Sequence, residues 1–221
     1  MSKLICSPRR RAVGIFVAML VVAAVTPAAA GATGASPLLP LLLKSGDVSG
    51  LGPGKAQVFR TAAAVKEGSG ERLPKRDVRR LEENGFVEGA TTHIHVRSEP
   101  SALGFSSVAE FETPAGAEAE MKARFKEVLD PAELRKEGLL DFLTLKHFKV
   151  PGVPTTLAFA FLTKRVAAEL GLEMGIANGF FVEGRCLLTE ALFRQESVDV
   201  IDPVRGAIQA LAERAEVACS S

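Results

Sequence analysis

The sequence predicts an α+β fold in which helices pack on an antiparallel sheet. Segments with strand character follow one another through short turns, and helical segments are marked by capping signals. The two kinds do not alternate in the regular strand–helix–strand rhythm of a parallel sheet. The chain has 221 residues, of which 47% are hydrophobic. Its length is sufficient for one such domain with a substantial core.

The first thirty residues predict a secretory signal peptide. A basic head containing Lys3 and Arg9–Arg11 precedes an uncharged apolar run over 12–25 and then a series of small residues. We expect cleavage after Ala30, with Ala32 as the second choice. The alternative is an uncleaved membrane anchor, since the apolar region approaches the length of a bilayer span. A proline and several alanines in its second half suit a membrane helix poorly.

This leader sets the expected organisation of the chain: residues 1–30 are a signal peptide, 31–37 a flexible tether, and 38–221 a single α+β domain. Of the 27 Lys and Arg residues, four lie in the leader, which leaves 23 against 26 acidic residues and a net charge of −3. The remaining basic residues form no concentrated basic face, so we expect no nucleic-acid partner. Contact with a membrane is expected only through an uncleaved leader. The short alanine-rich signal and the bias towards alanine, glycine and arginine suggest a bacterium with a GC-rich genome.

The first part of the predicted domain is rich in leucine and glycine. Residues 38–43 form a leucine-rich segment that we expect to fold as one helical turn against the body. The run 50–54 is predicted to be a loop, because it lacks the lysine and hydroxyl residue of a phosphate-binding loop. Residues 56–64 are assigned to a strand, although their alanines give little strand preference.

The next segments predict helix, strand, strand and helix. A helix over 74–84 is ended by Asn84-Gly85. Strands follow over 87–96 and 106–113. Thr113 is a plausible N-cap with proline at the first helical position. The inward face of the helix that follows is predicted to consist of Ala117, Met121, Phe125 and Val128.

The last third of the chain predicts a strand-rich region and a final helix. Residues 139–148 form an apolar segment after a short helix near 133–136, and a turn cluster follows at 151–154. Strands are expected over 156–162, 170–182 and 185–193, with Asn178-Gly179 lying inside the second of these or between two parts of it. Asp202-Pro203 is predicted to start the last helix. Its inward face is predicted to consist of Val204, Ile208, Leu211 and Ala215.

Cys186 and Cys219 are the two cysteines outside the leader. In an oxidising extracytoplasmic compartment, an isolated pair of this kind predicts a disulfide. The alternative is a catalytic or redox thiol, but neither cysteine belongs to a CxxC motif or has a histidine near it in sequence.

His93 and His95 are the strongest candidates for chemistry. Side chains two residues apart on a strand point to the same face and can share a metal ion, and Glu99 follows at the spacing of the first cupin metal motif. The downstream glycine and the second motif of that family are missing, and His147 is the only further histidine. The sequence therefore predicts no metal site and no cofactor, with His93, His95 and Glu99 as the residues to test.

Two further features are predicted to be structural. Ser106 lies in a segment that resembles a nucleophile elbow, but the second glycine is absent and a strand follows the serine, so we expect a turn or strand serine. The chain has no Trp and no Tyr, and twelve of its 13 Phe residues lie outside the leader. We expect these phenylalanines to be mainly core, with a cavity for an apolar ligand between sheet and helix as the alternative.

The order of several short segments resembles small secreted proteins and lipoproteins of actinobacteria, some of which are similar to the PknH-type extracellular sensor domain. These segments are Gly46-Asp47-Val48, Asn84-Gly85-Phe86-Val87, Val108-Ala109-Glu110-Phe111, Val150-Pro151-Gly152-Val153-Pro154 and Phe181-Val182-Glu183-Gly184-Arg185-Cys186. The resemblance implies a Mog1/PsbP-like sandwich over about 38–219 and an extracytoplasmic location. The sequence contains no kinase domain and no lipobox, so the resemblance does not imply kinase signalling.

These observations favour a secreted or cell-envelope domain that is not an enzyme and that binds an unknown envelope protein or an apolar small molecule. The alternative is a metal-dependent enzyme that uses His93 and His95. A third hypothesis is a structural or inhibitory protein that acts through its surface edges.

Overall fold

The structure is a computed structural model, and it describes residues 36–65, 72–96, 99–130, 143–153, 155–164, 173–195, 197 and 199–219. The leader, most of the tether and the short helix expected near 133–136 lie outside the described residues.

Three α-helices and eight strands make up the regular structure of the described residues. The helices are α1 (Lys75–Glu83), α2 (Pro114–Val128) and α3 (Ile201–Cys219). The strands are β1 (Leu51–Pro53), β2 (Gln57–Phe59), β3 (Phe86–Val96), β4 (Glu99–Phe111), β5 (Leu143–His147), β6 (Thr156–Thr163), β7 (Met174–Glu183) and β8 (Cys186–Gln195). Among the described residues, no helix is both long enough and apolar enough to cross a bilayer.

All eight strands belong to one antiparallel sheet, which confirms the predicted α+β class. The strand order is β1-β3-β4-β8-β7-β6-β5, and β2 pairs with β3 alongside β1. The two short strands therefore share the outer edge of β3, while β8 and β7 lie at the centre. Long hairpins build most of the sheet, because β3–β4, β6–β7 and β7–β8 each join neighbours in the chain.

Local turn and capping signals account for the element boundaries that sequence analysis placed correctly. Thr113 caps α2 by accepting a hydrogen bond from the Gly116 amide at 3.1 Å. Gly184 has a φ of 52° and closes the tight turn between β7 and β8, where Glu183 pairs with Cys186.

Asn178-Gly179 does not interrupt β7, which settles the alternative left open by the sequence. A Cβ atom at Gly179 would lie 2.1 Å from Cδ1 of Ile208, so the glycine lets α3 approach the sheet closely.

The sheet lies between two layers and forms a separate core on each face. On the first face, α3 and the leucines near the start of the described chain cover the sheet; on the second face, α1 and α2 do so. The predicted inward residues of α3, Val204, Ile208, Leu211 and Ala215, are all buried in the first core.

Three segments differ from their predictions. Within the run 50–54, which was expected to be a loop, Leu51–Pro53 form β1, because backbone pairing with β3 holds these residues extended. The strand expected over 56–64 is limited to β2, and the alanines after it form a short 3-10 turn at Ala62–Ala64, since alanine has little strand preference. The strand expected to start at Ser106 begins at Glu99, because cross-strand pairing with β3 extends it through a segment that contains proline, alanine and glycine, which have little strand propensity. At the end of the predicted tether, Ser36 is buried and its hydroxyl donates to Glu88, so the packed body includes Ser36.

Candidate functional site

His93 and His95 lie on the second face of the sheet, as their spacing predicts. His93 is opposite Phe105 and His95 is opposite Leu103 on β4. The imidazole of His95 covers Gly52 of β1, because a Cβ atom at Gly52 would lie 2.5 Å from its Nε2. Both histidines thus have apolar or glycine neighbours directly across the sheet.

Of the other predicted ligands, His147 lies far from His93 and His95. β5, which carries His147, is five strands away from β3, a separation of roughly 24 Å at about 4.8 Å per strand. There the imidazole contacts Phe125, with ring centroids 6.2 Å apart. Glu99 begins β4, and the structure describes only its backbone. Across the described ranges, no three His, Cys, Asp or Glu side chains come close enough together to hold a metal.

We therefore predict that stoichiometric Zn, Mn or Fe does not copurify with the exported protein, and that His93→Ala with His95→Ala folds normally. Two imidazoles fill only half of a tetrahedral coordination shell, so their affinity for metal is weak. Elemental analysis and circular dichroism of both proteins test this. Near-stoichiometric metal that is lost in the double variant would contradict the prediction and support the metalloenzyme alternative.

The first face presents a different arrangement, centred on Leu38–Leu43, which we call the leucine arm. Residues 39–41 form one 3-10 turn, as predicted, with proline in its first positions. Four of its leucines, Leu38, Leu41, Leu42 and Leu43, are buried in the first core. The arm contacts α3 and covers apolar residues of β3 and β4.

A groove of about 390 Å³ separates the leucine arm from the edge of the sheet. The arm and the residues after it form one side, and the segment from β1 to β2 together with Thr92 forms the other. The lining residues are Leu39, Leu42, Leu43, Lys44, Ser45, Pro53, Gly54, Ala56 and Thr92. The interior is mainly apolar, while Lys44 is exposed at its rim.

A chain of hydrogen bonds fastens the arm to the sheet beside this groove. The amide of Leu43 donates to the Ser106 hydroxyl at 3.1 Å, and that hydroxyl donates to Oε1 of Glu190 at 2.6 Å. Ser106 and Glu190 are directly opposite each other on β4 and β8, so their side chains share the first face. Both are fully buried.

Arg214 of α3 provides a second attachment of the arm. Its Nη2 donates to the carbonyl oxygen of Leu42 at 3.3 Å and to Oδ2 of Asp47 at 2.7 Å. Its Nη1 donates to Oδ1 of Asp47 at 3.2 Å, which makes the ion pair bidentate. The guanidinium therefore links α3 both to the arm, at Leu42, and to the turn that follows the arm, at Asp47.

Glu190 is an unusual residue for the centre of a sheet. Burial raises the pKa of its carboxyl well above the usual range; the Ser106 hydrogen bond and Arg214 lower the pKa, while Asp47 raises it. In the described part of the chain, Oε2 of Glu190 and Nε of Arg214 are buried without hydrogen-bond partners. Burial and the unpaired Oε2 thus favour the uncharged form of the carboxyl.

A second buried glutamate, Glu120, lies on the opposite face and is fully paired. Arg80 donates to both of its oxygens, Arg124 donates to Oε1 at 2.8 Å, and Asn84 donates to Oε2 at 3.1 Å. Burial acts to raise the pKa of Glu120, but the charges and hydrogen bonds of Arg124 and Arg80 outweigh it and lower the pKa. This network joins α1 to α2 and leaves Glu120 no free oxygen for a ligand.

The phenylalanines fill the space in which sequence analysis placed an alternative apolar cavity. Phe159 packs against Phe125, Phe161 and Phe180 with ring centroids 5.5–6.5 Å apart, in edge or stacked geometry. Phe159, Phe161 and Phe180 are buried in the second core and Phe181 in the first. These side chains form packed core, and the groove lies elsewhere, beside the leucine arm.

Cys186 and Cys219 form a disulfide whose Cα atoms are 5.8 Å apart. The bond joins the first residue of β8 to the last residue of α3, and the Arg185 amide donates to the Cys219 carbonyl beside it. It fixes the C-terminal end of α3 on the sheet, on the same face as the leucine arm.

Sequence analysis missed Glu190, Arg214 and Asp47 as parts of a site. One signal was present: Glu190 interrupts the apolar row of Cys186, Leu188 and Leu192 on the first face of β8. A charged residue at a core-facing position of a central strand marks a buried polar site that needs a partner. Its partners lie 84 and 24 residues away in sequence, so pattern alone could not identify them.

No family model matches the chain, and no curated protein matches its sequence. Among solved structures, the chain is similar to the extracellular domain of PknH from Mycobacterium tuberculosis, with a TM-score of 0.49 and 11% identity over 80% of this chain and 94% of that chain. It is also similar to an uncharacterized protein from Mycobacterium smegmatis, a Rv0999 ortholog, with a TM-score of 0.36 and 10% identity over 77% of this chain and 88% of that chain. The first of these is the domain that the sequence segments resemble, and the likeness to it is distant.

Proposed function

We propose that this chain is a non-enzymatic extracytoplasmic domain that binds an apolar or amphipathic small molecule in the groove beside the leucine arm. The observation that carries the proposal is the groove itself. Its volume of about 390 Å³ lies within the range of small-molecule sites, roughly 300–1,000 Å³. Leucines of the arm face Pro53 and Ala56 across it, which suits a narrow apolar chain.

The polar groups of the groove suggest which end of the ligand faces solvent. Lys44 places a positive charge at the rim, and no acidic side chain belongs to the groove lining in the described structure. The hydroxyl of Thr92 donates to the Gly54 carbonyl at 3.0 Å, so its hydrogen is already engaged in a hydrogen bond within the groove wall. An apolar chain with an anionic end, such as a fatty acid, matches this distribution.

The compartment in the proposal rests on the leader and the cysteines. A basic head followed by an apolar run and small residues is typical of secretory signals. A disulfide is stable in an oxidising compartment outside the cytoplasm, and rare inside it. Both features agree with a protein that meets its ligand outside the cytoplasm.

We expect Ala56→Phe to weaken laurate binding by about tenfold or more, because the added ring fills the groove at a residue that lines it. Isothermal titration of the wild type and the variant with laurate measures this. Mass spectrometry of an organic extract from purified wild type identifies any amphiphile carried through purification.

Ala63→Phe is the matched control, since Ala63 is exposed on the nearby 3-10 turn and is not part of the groove lining. Its affinity for laurate should equal that of the wild type. Equal affinities in all three proteins, or an equal loss in both variants, would show that laurate does not bind in this groove.

A further inference from the structure

The leucine arm forms one wall of the groove, and the polar attachments of its last two residues, Leu42 and Leu43, end in two charged side chains. One path runs from the Leu43 amide through Ser106 to Glu190, and the other runs from the Leu42 carbonyl to Arg214. At the start of the arm the Leu38 amide donates to the Ser36 hydroxyl, which donates to Glu88 of β3, and the buried leucines add apolar contacts that are not sensitive to charge. The charge of Glu190 and the position of Arg214 therefore affect how firmly Leu42 and Leu43 are held.

We infer that the leucine arm is a proton-gated cover of the groove, closed while Glu190 is uncharged and released when Glu190 ionises. The inference rests on the proposed function only in taking the groove as the ligand site. The movement of the arm is a property of the protein alone.

Burying a charge without a partner is costly. An ionised carboxylate without full pairing is far less stable in an apolar core than in water. Oε2 of Glu190 has no partner among the described residues, and Oε1 has only the Ser106 hydroxyl. Burial accordingly raises the pKa of this carboxyl, so the closed arm binds a proton that the open arm releases.

The two charged groups that face Glu190 act in opposite directions on its ionisation. Arg214 on α3 attracts the ionised form, but it is held by Asp47, which repels that form. Neighbouring strands add only Ser106 on β4 and Gly179 on β7, neither of which titrates. An ionised Glu190 can be stabilised in two ways. Either the arm lifts and water hydrates the carboxylate, or the guanidinium of Arg214 moves from the Leu42 carbonyl to the carboxylate. Both changes remove a contact that holds the arm.

The sign of the pH dependence follows. Because the pKa of Glu190 is higher in the closed state than in a solvated state, the closed arm is most stable at acid pH. Opening increases about tenfold for each pH unit above the ordinary range of a glutamate, near pH 4.3, and becomes constant once the pH exceeds the raised pKa.

Hydrogen exchange of the Leu43 amide tests the gate, because this amide donates to Ser106 only while the arm is closed. Exchange is measured on the full mature protein from about pH 5 to about pH 10, a range that covers known buried glutamates. After correction for the intrinsic rate, protection should fall about tenfold per pH unit and then level off. A protection factor that does not change with pH would overturn the inference.

Glu190→Gln keeps the shape and the acceptor for Ser106 but cannot ionise, so the pH dependence of Leu43 protection should disappear. Glu110→Gln is the matched control: Glu110 is on β4, on the same face, and pairs with Arg185 rather than with the arm. It should retain the wild-type profile. An unchanged profile in Glu190→Gln would show that another group controls the arm.

A second variant keeps the inference testable if Glu190→Gln does not fold. Asp47→Asn removes the charge that raises the pKa of Glu190 and frees Arg214, so the transition should move to lower pH. A transition at the wild-type pH would contradict the gate. Laurate titration separates the two proposals: a pH-dependent arm without laurate binding overturns the proposed function alone, whereas laurate binding with a pH-independent arm overturns the gate alone.

Discussion

Replacing Cys186 and Cys219 with serine together is expected to lower the free energy of unfolding by about 2–5 kcal/mol. The disulfide closes a sequence separation of 33 residues, and in the chain-entropy model a loop of this length contributes roughly 3–4 kcal/mol by restricting the unfolded chain. Urea denaturation of the wild type and the double variant measures the difference. Laurate binding should persist at low urea, because neither cysteine lines the groove.

Thiol labelling of the exported protein provides the independent check. Without reductant, both cysteines should resist labelling, and reduced wild type should match the stability of the double serine variant. If both thiols react without reductant, the disulfide is absent from the exported protein and a reactive-cysteine function must be considered again.

Glu120→Ala is expected to cost about 3–5 kcal/mol, the range for breaking a buried ion pair by removing one partner. The carboxylate is fully buried and receives hydrogen bonds from Arg80, Arg124 and Asn84. Its removal leaves a cavity between α1 and α2 and takes the fully buried partner from Arg80, which keeps, among the described residues, only its contacts with Asp77 and, at the surface, Glu127. Thermal and urea unfolding followed by circular dichroism measure the loss.

Glu118→Ala is the matched control on the same helix, since Glu118 is exposed and pairs only with Lys122 in the described contacts. Exposed i,i+4 pairs contribute about 0.3–0.5 kcal/mol, so the control should change stability little. A comparable loss in both variants would show that helix propensity, and not the buried network, determines the effect.

The two buried glutamates should influence stability at opposite ends of the pH range. The pKa of Glu120 is lowered in the folded protein, so its contribution is present above the ordinary glutamate range and is lost as pH falls through the lowered pKa. The pKa of Glu190 is raised, so its contribution is complete at acid pH and is lost as pH rises. A plot of unfolding free energy against pH should therefore differ from that of the wild type below the ordinary glutamate range in Glu120→Ala, and above that range in Glu190→Gln.

Local patterns were sufficient where neighbours in sequence determine the structure. The N-cap at Thr113, the hairpin turn at Gly184 and the inward stripe of α3 depend on contacts within a few residues or on helical periodicity. The shared face of His93 and His95 follows from the two-residue period of a strand. Alanine-rich residues after β2 were assigned wrongly, because alanine carries little information about strand formation.

The sequence by itself determined the α+β class, most elements and the leader expected to export the chain, since these depend on local propensity and composition. Only the tertiary structure decided that His147 lies at the opposite edge from β3, because strand order is set by long-range pairing. It likewise joined Ser106 to Glu190 across 84 residues and Asp47 to Arg214 across 167. Such contacts depend on which surfaces the packed sheet and helices bring together, and no periodicity along the chain encodes that.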